Sequence, residues 1–551
     1  MAHRIRQAAL AGCCALLAAA AAGGGARAES LADAVTLAYQ TNPTLQQQRA
    51  QLRITDEGYV QARAGYRMTG NVTASALGVW ERVGHNGCGL IGFAPGCSTV
   101  NNTNSLNGQV TLSQPVYTGG RATSRVRSAE ADILAGREDL RRVEGDLMLS
   151  VVQAYVNVRR DEQALNIRRD NVSVLQRQVD EVRARFDVGE VTRTDVAQSE
   201  AQLAAAESAF AAAQGQLALS RASYATVVGQ SPTQLDPEPP FTTFPDTVEQ
   251  AFEVSEQNNP LIRAADYAEQ SASEQVALAR AERLPSVSLQ ASYGYTQPLT
   301  PWNPSLQART LQAGIAVQQP LFAGGAISSQ IRIALERENV GRIQLEQARR
   351  TTTENVSRAW NDLLAARAAI AAGEEEVRAA KVAFEGTRAE QQVGLRTTLE
   401  VLNAQQVLRD AELSLVTAHH DEYLAAATVL NTMGVLEAKN LVPDLEQIPA
   451  SHSLYQLKHA TGYLPIEEGV SALDSLTGPH IVKLAPPQDA PITTGPPSPE
   501  AARPTPSAAS EPAPAAAAAQ ATATMAPTTA APTSGAAPPP PTAQTPISPG
   551  R

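Results

Sequence analysis

Aromatic residues make up only 4% of this 551-residue chain, which carries four cysteines. So little aromatic surface excludes one large globular core, and apolar content carried mainly by alanine and aliphatic residues favours long helices. Beyond residue 28 no run of about 18 apolar residues occurs, so a transmembrane helix is not available and any membrane crossing must use strands. A formal charge of −11 provides no basic face for phosphate, so nucleic acid is not expected as a partner. Walker, HExxH, GxSxG and CxxC motifs are all missing, and with them any expectation of an enzyme, a cofactor or a metal site.

What is present begins with a signal. MAHRIR, an alanine/leucine run and then Ala26-Arg27-Ala28 give the basic, apolar and small-x-small order of a secretory signal peptide over residues 1–28. The mature chain is expected to start near Glu29. Leu10-Ala11-Gly12-Cys13 also fits a lipoprotein cleavage box that would lipidate Cys13, although the apolar stretch before it is short. Export leaves Cys88 and Cys97 in one Gly- and Asn-rich loop. They form a candidate disulfide, with two free thiols as the alternative.

The chain then repeats itself. LSQPVYTGGRATS at 112–124 returns as VQQPLFAGGAISS at 317–329, so Pro115, Gly119 and Gly120 recur as Pro320, Gly324 and Gly325 at an interval of 319 − 114 = 205. LADAVTLAYQTNP at 31–43 matches VEQAFEVSEQNNP at 248–260 at an interval of 217, and Gly229 matches Gly434 at 205. The first copy therefore holds 217 − 205 = 12 extra residues, expected in the loop with the two cysteines. Two structural repeats, 29–229 and 248–434, are separated by a linker at 230–247 and followed by an extension over 435–484, expected around the middle of the helices. From 485 to 551 the chain is rich in proline and alanine and lacks the apolar periodicity of a core, so a disordered tail is expected.

Each copy reads as helix, two strands, long helix, helix. Val287, Leu289, Ala291, Tyr293 and Tyr295 alternate with small polar residues, as do Leu311, Ala313, Ile315 and Val317, and in the first copy Leu106, Gly108, Val110 and Leu112. That period suits strands with lipid on one face and water on the other. Trp80, Tyr293, Tyr295 and Trp302 are candidates for an aromatic girdle. Val151, Val158, Leu165, Val172, Val179 and Phe186 fall seven apart, as do Val356, Leu363, Ile370, Val377, Phe384 and Gln391. Heptads sustained this far predict extended coiled-coil packing. One helix over 122–186 would be about 100 Å long, several times a hydrocarbon core of about 30 Å. Two hairpins give only four strands, whereas single-chain barrels begin at about eight and open edges are not tolerated in lipid, so several chains must share one barrel. The Pro and Gly-Gly corner is where each strand pair stops and a long helix begins.

In their duplicated order, the corner, VGEVTRTDV at 188–196, VGLRTTLEVLNAQ at 393–405 and the helix ends Val228-Gly229 and Met433-Gly434 resemble the TolC family of outer-membrane efflux channels over roughly residues 30–440. The resemblance implies an all-α plus membrane-β fold. A homotrimer would form a 12-stranded β-barrel in the outer-membrane lipid, continued by an α-helical barrel through the periplasm. It also implies a periplasmic adaptor and an inner-membrane transporter as partners, with drugs or other toxic molecules as cargo. A type I protein-secretion duct of the same fold is the nearest alternative, and a soluble periplasmic coiled-coil scaffold is an alternative of another class.

The resemblance further places the periplasmic tips at 187–194 and 392–399, with Val188, Gly189, Val393 and Gly394 as adaptor-docking positions. Arg396 is the matching gate arginine, with Thr194 and Asp195 as its counterparts, and Glu400 occupies an acidic ring around the pore. The chain departs from the family at Asn403, where a second acid is often found, and at Gln391, where an aromatic can join the latch. His419-His420-Asp421-Glu422 is expected to be a solvated helix face, because adjacent helical residues diverge and cannot converge on one ion.

Overall fold

The computed structural model describes residues 29–82, 100–241, 244–300, 304–443, 445, 448, 454–459 and 465–477. Cys13 and the expected signal, Cys88, Cys97, Trp302 and the Pro/Ala-rich tail lie outside the described residues. The first unit runs α1 (Leu31–Thr41), α2 (Pro43–Ala64), β1 (Thr69–Arg82), β2 (Val100–Tyr117), α3 (Arg121–Asp187) and α4 (Arg193–Val228). The second runs α5 (Val248–Asn258), α6 (Pro260–Ala281), β3 (Ser286–Thr300), β4 (Ala308–Gln318), α7 (Ala326–Gln392) and α8 (Thr398–Thr432). Three C-terminal helices follow: α9 (Ala438–Leu441), α10 (Leu454–His459) and α11 (Pro465–Thr477). Both long helices, α3 and α7, contain 67 residues. The strands start 286 − 69 = 217 apart and the N-cap glycines stand 325 − 120 = 205 apart, so the twelve extra residues lie in the first hairpin.

Each unit opens with two helices where one was expected from the sequence. Pro43 and Pro260 have no N–H and fit only the first turn of a helix, so the chain must break just before them. Asn42 and Asn259 sit at the break in extended conformation, each closing one helix and capping the next. Asn42 Oδ1 accepts from Thr44 N at 2.9 Å while its Nδ2 donates to Val227 O at 3.0 Å. Asn259 repeats this with Leu261 N at 2.8 Å and Thr432 O at 2.7 Å. A single side chain thus starts α2 or α6 and ties down the far end of α4 or α8.

The four strands form one antiparallel sheet in the order β1-β2-β3-β4, so the two units join through β2 and β3. Directly paired residues share a face of a sheet. Val72 pairs with Val110, Val110 with Tyr293 and Tyr293 with Leu311, which draws one apolar line across all four strands. Two residues along, Gly70, Leu112, Ala291 and Ala313 draw the next. The opposite face carries Asn71, Thr111, Ser292 and Gln312. Trp80 and Tyr295 belong to the apolar face by the same alternation. Proline ends pairing only in the second unit, where β4 stops at Gln318, before Pro320. In the first, β2 continues to Tyr117, and a register shift between Pro115 and Tyr117 absorbs the missing donor.

The main core lies where α1 and α2 cross the middle of α3 and the ends of α4 and α8, around Val35, Leu45, Leu52, Met148, Val151, Val152, Tyr155, Tyr224 and Leu430. Heptad residues Val151 and Val158 are fully enclosed there, and Val356 and Leu363 fill a second cluster with Ala251 and Val429. Glu29 enters the main core region as a buried acid: its Oε1 accepts from Tyr224 Oη at 2.6 Å and Gln230 Nε2 at 3.0 Å. The extension beyond 435 begins at mid-height as expected, with Leu436 and Ala438 of the α9 region in the main core, and its later helices leave that level. Leu457 of α10 packs with Tyr59 and Ile133, and Val470 of α11 with Tyr66 and Ala122, beside the first strand-to-helix corner. Buried partners on α2 and α3 draw it there.

Gly434 shows how tightly the helix ends are fitted. Its φ is +72°, and an added Cβ would stand 2.7 Å from Asn258 O, 2.7 Å from Pro260 Cδ and 2.9 Å from Asn259 Cα. Gly189 has a φ of +83° but nothing within 4 Å of such a Cβ. Gly434→Ala is therefore expected to cost about 2–5 kcal/mol from left-handed strain plus overpacking, and Gly189→Ala about 1–2 kcal/mol from strain alone. Thermal unfolding of the two variants side by side checks the order.

Candidate functional site

Both helix-to-helix turns are built from the same local chemistry. Val188 and Val393 end their helices, and Gly189 and Gly394 follow with φ of +83° and +80°. Gly189 N donates to Phe186 O and Glu190 N to Arg185 O, both at 2.9 Å. Gly394 N donates to Gln391 O at 3.0 Å and Leu395 N to Glu390 O at 2.9 Å. These are the paired bonds of a glycine-terminated helix, and they satisfy the last carbonyls before the chain reverses. Val188, Val393 and Leu395 stand exposed on the two turns.

The next helices start with reciprocal caps that the sequence reading missed. Asp195 Oδ2 accepts from Thr192 N at 2.9 Å while Asp195 N donates to Thr192 Oγ1 at 3.3 Å. In the second unit Glu400 Oε2 accepts from Thr397 N at 2.8 Å, and Glu400 N donates to Thr397 Oγ1 at 3.3 Å. The signal was on view as T-x-x-D and T-x-x-E, the spacing at which side chain and backbone can satisfy each other. Asp195 and Glu400 therefore begin as helix caps, whatever else they do.

Arg396 is not joined to Thr194 or Asp195 within the chain. Its Nε donates to Glu390 Oε2 at 2.8 Å and its Nη1 to Glu400 Oε1 at 3.0 Å, so it bridges the end of α7 and the start of α8. Glu390 was not singled out from the sequence, where six residues separate it from Arg396 and no helical spacing links them. Thr194 is exposed on the first turn of α4, and Asn403 is exposed one turn beyond Glu400. Gln391 donates to Thr398 Oγ1 at 3.4 Å, a polar link between α7 and α8 at the position where the family can carry an aromatic. With two carboxylates and one guanidinium, each second-unit tip carries a formal 1 − 2 = −1.

Higher up, the two hairpins meet at Leu175, Ala206 and Leu402, and Gln405 Nε2 donates to Asn171 Oδ1 at 2.9 Å. His420 is not the solvated residue expected from the sequence. It faces α3, with Nε2 2.8 Å from Asn157 Oδ1 and Nδ1 2.8 Å from Asp421 Oδ1. Among the described residues no group of three or more His, Cys, Asp or Glu side chains is placed to hold a metal ion.

At the opposite end, the corner glycines all have positive φ: 69° and 85° at Gly119 and Gly120, 57° and 85° at Gly324 and Gly325. Their surroundings differ. A Cβ on Gly119 would lie 2.8 Å from Leu284 Cβ and 3.1 Å from Pro285 O, whereas Gly324 and Gly325 have nothing within 4 Å. Leu321 and Phe322, between Pro320 and these glycines, are 90% and 93% exposed. The first corner is packed on the second unit, and the second corner faces open space.

Comparison with known proteins matches this arrangement. The family model described as "Outer membrane efflux protein" covers residues 34–230 and 252–435. Outer membrane efflux protein BepC of Brucella suis is 33% identical over 418 residues, 76% of this chain and 88% of that protein. Outer membrane protein TolC of Vibrio cholerae is 25% identical over 428 residues, 75% of this chain and 93% of its own. The crystal structure of the outer membrane protein VceC from Vibrio cholerae superposes with a TM-score of 0.62 at 22% identity, covering 73% of this chain and 96% of that one.

The tip carries a pH dependence of known sign. The Glu400 carboxyl is held below its usual value of 4.5, first by the Thr397 backbone N–H and then by Arg396. A depressed carboxylate supports the fold above its unfolded value and loses that support as pH falls through the folded one. The Glu400 cap is therefore expected to be intact at pH 5 and lost only below 4.5. In Arg396→Ala the titration should move upward yet stay below 4.5, since the Thr397 amide remains. Carbon NMR of a labelled Glu400 carboxyl checks both.

Proposed function

This chain belongs to the outer membrane efflux protein family, and from that premise we propose that three copies form one passive export duct. The duct would run from the periplasm through the outer membrane and expel drugs or other toxic small molecules. The observation that carries this reading is the sheet: one apolar face continuous across four strands, with an open edge at β1 and another at β4. Backbone groups on an open edge cannot be left in hydrocarbon, so the edges must pair with copies of each other. Three chains of four strands would close a barrel of twelve.

The duplicated units support the same assembly. Within one chain, β2 pairs with β3 and Gly119 nests against Leu284 and Pro285. The equivalent surfaces of the second unit are the β4 edge, Gly324 and the bared Leu321 and Phe322. A next chain presenting its β1 edge and the turn after its α2 repeats the internal contact there. Isologous pairing would not, because the two edges differ. Helices of 67 residues, about 100 Å long, would carry the bore away from the membrane to a periplasmic adaptor and an inner-membrane transporter that supplies the energy.

In this reading the adaptor docks at the turns around Val188, Gly189, Val393 and Gly394. Arg396 latches the entrance: its Nη2 carries no bond among the described residues and is available to Asp195 and Thr194 of an adjacent hairpin. Three copies of Glu400 face the bore as a ring that favours cations, tempered by the arginine beside each.

Planar-bilayer conductance of the extracted mature oligomer, together with cross-linking to count its subunits, tests the proposal. Three subunits with small, closed-biased currents that rise in Arg396→Ala are expected. An oligomer that stays in the soluble fraction and conducts nothing overturns the duct and returns the chain to the coiled-coil scaffold class.

A further inference from the structure

Helix α11 is built the wrong way round for water. Its inward positions are Glu467, Val470 and Asp474, at 3%, 4% and 0% exposure, while Ile466, Leu473 and Leu476 stand out at 56%, 42% and 75%. A helix lying on a protein wall bathed by water buries its apolar residues and exposes its acids. The inward acids here have partners. Arg63 Nη2 lies 2.5 Å from Glu467 Oε2 and Arg67 Nε 2.6 Å from Glu467 Oε1. Thr118 N donates to Asp474 Oδ1 at 2.7 Å, and the Thr118 hydroxyl donates to Asp474 Oδ2. The polar face is thus committed to the protein, and the apolar side chains stand exposed on another flank.

At about 100° per residue the helix divides into three sectors about 120° apart. Glu467, Val470 and Asp474 face the protein. Glu468 and Ser475, both exposed, form a second flank, with Lys458 Nζ 3.9 Å from Glu468 Oε1. Ile466, Leu473 and Leu476 form the third, with Gly469 between them. One flank for protein, one for water and one for an apolar medium is the division required of a helix lying at a membrane surface beside a barrel.

Its position agrees. Asp474 is bound to Thr118, the first residue beyond the end of β2, and β2 carries the sheet's apolar face through Val110 and Leu112. Glu467 is bound to the end of α2 and the turn after it. The two acids are 474 − 467 = 7 positions apart, a rise of about 10 Å, which is the spacing of neighbouring helices. Helix α11 therefore crosses from α2 to the start of α3 at the level where strands give way to helices. The second unit keeps only part of this receptor: Arg280 stands at the Arg63 position (280 − 63 = 217), but Ala323 stands at the Thr118 position (323 − 118 = 205) and Leu284 at the Arg67 position (284 − 67 = 217).

We propose that α11 is an interfacial helix that rests Ile466, Leu473 and Leu476 on the acyl chains of the periplasmic leaflet of the outer membrane. One such helix per chain forms a collar around the base of the barrel. It fixes the depth of the sheet in the bilayer by joining a lipid-seated flank to the strand-to-helix corner through Asp474 and Thr118.

The test is spin-label accessibility in the mature full chain, with Cys88→Ser and Cys97→Ser as background, in vesicles of phosphatidylethanolamine and phosphatidylglycerol. Single labels are placed through Leu473→Cys, Leu476→Cys, Ser475→Cys and Ile315→Cys, and collisions with oxygen are compared with collisions with a water-soluble nickel chelate. An oxygen-to-nickel ratio severalfold higher at 473 and 476 than at 475 is the expected result. Free access of nickel to 476 places that flank in water and overturns the proposal. Protection of 476 from both reagents means that a second copy of the chain covers it, which overturns the proposal equally. Ile315, on the apolar face of β4, reports separately on the barrel: exposure to nickel there would count against the outer-membrane duct and not against α11 alone.

Discussion

An unpaired peptide group in hydrocarbon costs several kcal/mol, and the architecture of this chain follows from avoiding that cost. Four strands can satisfy their inner edges but not their outer ones. In the proposed assembly the duplication resolves this geometrically, because a chain made of two like units already contains the contact that its neighbours would repeat. The β2–β3 seam and the nest of Gly119 on Leu284 are that contact in covalently linked form. The same seam continues into the helices, where Ser128 of the long α3 and Ser271 of α6 meet at 2.9 Å.

At the far tip the forces are of a different kind and much weaker. Arg396, Glu390 and Glu400 are all substantially exposed, and exposed ion pairs contribute little to stability. Their value is directional. A guanidinium with a donor to spare can change partners at small cost, which suits the latch proposed for Arg396. Glu400 is held by its own helix start as well as by Arg396, so the cap survives when the arginine leaves. The equator is the opposite case: Asn259, Gly434 and the enclosed heptad residues leave no room for movement. The polar, exposed contacts are thus concentrated at the tip and the tightly packed ones at the equator.

How much of this could be read from the sequence depended on whether the signal was local. Heptads in α3 and α7, alternation in β3 and β4 and the repeated corner are periodic within a short window, and each emerged from the letters. The breaks at Asn42 and Asn259 are written locally as Asn-Pro pairs, and the caps at Thr192 and Thr397 as T-x-x-D and T-x-x-E, signals that are short and easily lost beside heptads in helices of 67 residues. Other features had no local signature. Arg63 and Glu467 are 404 residues apart, so nothing near either announces the other. His420 looks solvated among its neighbours and becomes a bridge only because Asn157 lies across from it on α3. Arg396 was identified through family resemblance, and its bond to Glu390 needed coordinates.

The corner at Thr118 also bears on how the gene can vary. A duplicated protein begins with two equivalent corners, and any change tolerated in one is tolerated in the other until they acquire different neighbours. Here the first corner carries a hydroxyl that donates to Asp474, and the second has Ala323 and bare glycines. The two copies have thereby stopped being interchangeable: the first is tied to the chain's own C-terminal helix, while Leu321, Phe322 and the glycines of the second stand exposed or without a close neighbour among the described residues. A change at Thr118 is therefore felt by Asp474 of the same chain, whereas in the proposed assembly a change at Leu321 or Phe322 would be felt by a neighbour.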